Sequence, residues 1–163
     1  MKLFFLTLFT FLAATSFAQD SAKMKIITGS ENEDLQHIIS FEGMALHNFE
    51  FSGKKLAGKD YEFNVKEFKN GKLINTTMII DSKEADIFKI KKDSFKFKML
   101  TKTTEDNKFK IELSFGHFTS RKLTYNLYDK NGTYIMKTFS GQKNEINVPI
   151  NGHFYITALI TPT

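Results

Sequence analysis

Phe95-Lys96-Phe97-Lys98-Met99, then Glu105-Asp106-Asn107, then Phe109-Lys110-Ile111-Glu112-Leu113-Ser114-Phe115: this stretch decides the fold of the chain. In both outer runs apolar and polar residues alternate. A strand sends successive side chains to opposite faces, so each run has one greasy face and one wet face. The Glu-Asp-Asn segment between them tolerates the backbone angles of a tight turn, which makes the pair a hairpin.

The same period extends in both directions. Upstream, Tyr61, Phe63 and Val65 alternate with Glu62, Asn64 and Lys66. Asn70-Gly71 is a hairpin signal because both residues accept positive φ, and Leu73 to Ile80 supplies the return strand. Residues 81–93 read as a linker. Downstream, Leu123, Tyr125 and Leu127 mark a strand, and Asp129-Lys130-Asn131-Gly132 turns the chain into Thr133–Phe139. Ile146, Val148 and Ile150 form a short strand broken by Pro149, which belongs at an edge or a bulge because proline donates no ladder hydrogen bond. Asn151-Gly152 turns into Phe154, Ile156, Ala158 and Ile160. About eight strands at such spacing predict a mostly β chain, an antiparallel β-sandwich in which two sheets bury their greasy faces together. A closed β-barrel is the alternative.

Ahead of the strands, Ser30-Glu31-Asn32-Glu33 has the form of a capping box, and Leu35, Ile38 and Ile39 follow at helical spacing. One short helix near 31–40 is expected. Residues 19–30 are small and polar and read as a flexible leader, so the single β domain is placed at 31–163. Met1-Lys2, the uncharged run Leu3 to Ala14 and the exit Ser16-Phe17-Ala18 follow the pattern of a secretory signal peptide, with cleavage after Ala18. The run is shorter than the roughly 20 residues a membrane helix needs. No later run is long enough, so no transmembrane segment is expected in the mature chain. The protein is expected in the periplasm, at the cell surface or released.

Composition narrows the chemistry. There is no cysteine, which removes thiol catalysis and thiolate metal sites. The chain carries 18 phenylalanines and a net charge of +5. Lysine supplies nearly all of its positive charge, and the one arginine is Arg121. A lysine-rich surface favours an anionic partner. Base readout leans on arginine, so nucleic acid is not an expected partner.

No catalytic motif stands out. The histidines, His37, His47, His117 and His153, show no HExxH spacing, and only His117 and His153 with a carboxylate could be imagined around zinc. The plainer reading is four loop or edge histidines, with no metal site and no cofactor. Asp129–Thr133 resembles the start of a calcium loop but lacks the later glycine and the closing glutamate, which leaves a hairpin turn. There is no GxSxG elbow. Glycan-attachment sequons at Asn75 and Asn131 would matter only in a eukaryotic secretory pathway. Lys96, Lys98 and Lys102 share a strand face near Lys108 and Lys110, a basic surface or simply a solvated one.

The most mixed loop is Gly116-His117-Phe118-Thr119-Ser120-Arg121. If consecutive strands run antiparallel, the loops 52–60, 81–93, 116–121 and 140–144 fall at one end of the sandwich. A binding site there would draw on Lys54, Lys55, His117, Phe118, Arg121 and Lys143.

The run Phe51-Ser52-Gly53-Lys54-Lys55-Leu56-Ala57-Gly58-Lys59-Asp60-Tyr61, followed by Lys66-Glu67-Phe68-Lys69-Asn70-Gly71-Lys72-Leu73, resembles small exported proteins of Bacteroidota. The Ser-Phe-Ala-Gln exit is similar to signal peptides of that group. The resemblance implies a bacterial envelope setting and brings no assigned activity and no catalytic residue with it. The expected function is a non-enzymatic binding or accessory protein of the cell envelope. An envelope hydrolase with a site assembled from loops is one alternative. A structural or assembly subunit is another, and an exposed apolar patch or an unpaired strand edge would mark it.

Overall fold

A computed structural model describes residues 20–128, 134–141 and 143–161. The signal-peptide reading, the Asp129–Thr133 turn and the Asn131 sequon lie outside the described residues. Ten strands and one helix form in chain order: β1 (Ser21–Thr28), α1 (Glu33–Phe41), β2 (Met44–Ser52), β3 (Glu62–Lys69), β4 (Lys72–Asp81), β5 (Ser94–Thr103), β6 (Lys108–Ser114), β7 (Leu123–Asn126), β8 (Ile135–Thr138), β9 (Glu145–Pro149) and β10 (Thr157–Ile160). Every strand pairing is antiparallel.

Six strands make the large sheet, in the order β9-β1-β2-β5-β6-β7. It ends in two unpaired edges, so the layers are sandwich-like and the barrel alternative is not realised. The β3–β4 hairpin and the β8–β10 pair form two separate ribbons. Phe63, Val65 and Ile80 of the hairpin and Ile156 next to β10 pack into the core of the large sheet. That core is mostly Met24 and Ile26 of β1, Phe49 and Phe51 of β2, Phe97 and Met99 of β5, and Ile111 and Leu113 of β6. The Phe49 and Phe97 rings stack at 4.8 Å, and Phe63 meets Phe97 edge-on at 4.5 Å. Offset and edge-to-face rings add to the burial of their own apolar area.

Two expectations need correction. The flexible-leader reading of 19–30 fails at residues 21–28, which are β1 and lie inside the large sheet between β2 and β9. Ala22, Met24 and Ile26 alternate with Lys23 and Lys25, and all three point into the core. The leading Ala22 is too small to announce the period. The helix cap is also displaced. Asn32, not Ser30, caps α1, its side chain accepting from the Leu35 amide at 2.8 Å, while Ser30 Oγ accepts from the Asn32 amide.

Pro149 closes the edge strand β9, as its missing N–H requires. Asn70 and Gly71 take φ of 51° and 74°, the geometry of a two-residue hairpin turn. Helix α1 packs on β2 and buries Ile39, but leaves Leu35, Ile38 and Phe41 exposed.

Candidate functional site

Three of the four loops expected to gather do so. Gly53 donates to the Asp93 carbonyl at 3.0 Å and Gly58 to the Ile90 carbonyl at 2.8 Å, tying 52–60 to 81–93. The Phe88 and Phe118 rings lie 4.6 Å apart, which adds 116–121. The 140–144 loop sits toward the other end. Asn144 accepts from the Ile26 amide, near the β1 end that holds Thr28, whereas Ser21 and Ser52 mark the end with the three loops. Lys143 is thereby separated from the others, beside Lys23 and Glu145 along a shallow recess of about 280 Å³.

At the three-loop end, packing occupies much of the proposed chemistry. Phe118 stacks on Phe115 at 4.7 Å and its carbonyl accepts from the Phe115 amide, so it closes a tight turn over the core. Gly116 makes that turn with φ of 81°. Leu56 and Ile90 are buried beneath the neighbouring loops. Lys55 is held by Asp20 at 2.8 Å. Lys54, His117 and Arg121 remain exposed on the rim.

The lysine face of the large sheet is interleaved with carboxylates. Lys96 meets Glu50 at 2.6 Å, Lys102 meets Glu42 at 2.8 Å and Lys23 meets Glu145 at 2.8 Å. The lysine contacts hold the Glu42 and Glu50 carboxyls below their ordinary range. With both signs interspersed, this face projects little positive field toward an anionic polymer.

Two buried polar groups escaped the sequence reading. His47 is not a loop or edge histidine: it stands on the inner face of central β2, only 6% exposed. The alternation Ala45-His47-Phe49-Phe51 is the signal that could have found it. Its Nδ1 is 3.2 Å from the Thr28 hydroxyl, while Nε2 has no hydrogen-bond partner. Burial pushes its pKa below the ordinary value, which keeps the ring neutral. Tyr61 packs its ring on Phe95 at 4.6 Å with its hydroxyl unpaired, and burial pushes that hydroxyl up to about 12. The two lie at opposite ends of the core, beside Thr28 and beside Phe95, so they do not form an acid–base pair.

Among the described residues no group of three or more His, Asp or Glu side chains is placed to hold a metal ion. A cleft of about 130 Å³ opens between the β2–β5 end and the β8–β10 pair, lined by Ala45, Thr101, Phe109, Met136 and Leu159. Sites for drug-sized ligands run to roughly 300–1,000 Å³.

The feature that stands apart is β4. It runs for ten residues and, among the described residues, pairs only with β3, which leaves its other edge open. Leu73, Ile74 and Met78 are about half exposed, as is Phe68 beside them on β3. No charge falls between Lys72 and Asp81. An open row of backbone donors and acceptors flanked by apolar side chains is a template for a further strand. Compared with family models, curated proteins and solved structures, the chain matches none.

Proposed function

We propose that this chain is a non-enzymatic accessory protein of the cell envelope that works by taking up an extended segment of a protein on the open edge of β4. The observation that carries the reading is the edge itself: ten residues, one partner strand, and an uncharged exposed run from Leu73 to Met78. Strand addition draws affinity from main-chain hydrogen bonds and specificity from alternate side chains. Among the described strands the other edges are short, blocked or charged. β7, β8 and β10 have four residues each, β9 ends in proline, and the eight-residue β3 carries Glu62, Lys66, Glu67 and Lys69. Export rests on the Met1–Ala18 pattern.

The test is a photo-reactive residue placed in the full-length chain at Thr76, at Lys98 or at His117, followed by crosslinking in cells. Protein adducts at position 76 and few at 98 or 117 are expected. Adducts confined to position 117 would move the working surface to the three-loop end. Mass spectrometry of the recovered protein is expected to find Gln19 as its first residue, and an intact Met1 would remove the export step.

A further inference from the structure

We infer that the strand received by β4 is β4 of a second copy, paired antiparallel about a two-fold axis at Thr76. The two hairpins then join as a four-stranded sheet, β3-β4-β4-β3. This deepens the strand-addition reading and rests on it.

The occupant follows from the charges. Lys72 and Asp81 bracket the uncharged run, one at each end. Antiparallel self-pairing sets each Lys72 opposite the other copy's Ile80, at the end of the ladder that holds its Asp81, so unlike charges share each end. Parallel pairing would set lysine beside lysine and aspartate beside aspartate. A foreign strand would have to carry this charge order independently, whereas a second copy has it by construction.

The register follows from symmetry. A closed two-fold contact is self-complementary, and in an antiparallel ladder its axis passes beside one residue that faces its own copy. Between β3 and β4 the register shifts at two places, which leaves Asn75–Met78 opposite Asn64–Glu67 as the regular stretch. Thr76 lies in it and is exposed. With the axis there, Asn75 faces the other copy's Thr77, and Met78 meets the irregular stretch Leu73–Ile74. These side chains suit a strand pair, with β-branched, threonine and methionine contacts and no buried charge. The pairing also covers Ile74 and Met78, each nearly half exposed in the single chain.

The experiment uses purified mature chain and analytical ultracentrifugation. The native chain is expected to dimerise reversibly. Thr76→Lys and Thr76→Glu, at an exposed position, are each expected to weaken the dimer by about fivefold or more, because like charges then meet at the axis. An equimolar mixture of the two is expected to recover a dimer. Circular dichroism checks that both variants keep the native β signal. Thr76→Cys in this cysteine-free chain is expected to give a covalent dimer on mild oxidation, and Lys98→Cys is not. A native chain that stays monomeric, or a dimer indifferent to both charges at position 76, would overturn the inference. Adducts at position 76 in cells that contain only other proteins would overturn it too, while leaving the strand-addition reading in place.

Discussion

The large sheet and the β3–β4 hairpin are built from the same alternating pattern and end in opposite conditions. In the sheet, β1, β2 and β5 are each paired on both sides, and their greasy face is covered. Their wet face is laced with lysine–carboxylate pairs. In the hairpin only the root is buried. Phe63 and Ile80 enter the core near Ser82, whereas Phe68, Leu73 and Ile74 near the tip stay about half exposed. One region spends its apolar residues on stability and the other keeps them available. A stretch that is apolar, extended and unpaired is where a partner can gain the most from binding.

The sharpest way to break this contrast is to truncate one apolar side chain in each region. Phe49 is fully buried and stacked on Phe97. Phe49→Ala is expected to cost about 3–5 kcal/mol. Leu73→Ala, at a half-exposed site, is expected to change stability by less than about 0.5 kcal/mol. Urea unfolding of both variants measures the difference, and comparable losses would mean the hairpin tip is part of the core.

A smaller effect tests how the hairpin is rooted. Ser82 is fully buried, and its hydroxyl accepts from the Tyr61 amide at 2.8 Å and donates to Asp60 at 3.2 Å. Ser82→Ala leaves that amide without an acceptor, and the expected loss is about 1–3 kcal/mol in the same assay. Ser82→Thr keeps the hydroxyl and is expected to lose less if the site accommodates a methyl group.

The smallest effect sharpens the sheet's side of the comparison. His47 has a lowered pKa in the folded chain because burial disfavours its charged form. Below the ordinary histidine value of about 6.5 the unfolded chain therefore binds more protons than the folded one, and stability rises with pH. The contribution is complete above that value and is lost as pH falls toward the folded-state pKa. Unfolding midpoints at pH 7.5 and about 5.5 are expected to differ less in His47→Gln than in the native chain. An equal difference in both would show that His47 does not titrate against burial.

Much of this architecture was legible from residues. Strands β3, β5 and β6 announced themselves because each carries several large apolar side chains in alternation, and β4 followed as the return strand of the Asn70-Gly71 turn, which has a local cause. The two strands least legible, β1 and β2, lie at the middle of the large sheet. β1 opens on small Ala22, and β2 has His47 where a hydrophobe is expected and a buried Leu46 on the face that packs toward α1. Both departures depend on neighbours distant in sequence. The loop-end site was legible only in part. Antiparallel alternation places three loops together, but Lys143 follows β8, which pairs with β10 outside the large sheet and so breaks the alternation. The open edge of β4 was not legible, since its composition suits a paired strand equally well and only the strand order reveals that β3 is its one partner among the described strands.

Hydrogen–deuterium exchange resolved by strand, repeated over a range of protein concentrations, bears on all of this at once. Amides of β1, β2 and β5 are expected to exchange slowly at every concentration, and the amides of β4 that do not bond to β3 to slow only as the protein becomes concentrated. Rapid exchange in Ser21–Thr28, or protection of the outward β4 amides that is independent of concentration, would contradict the account.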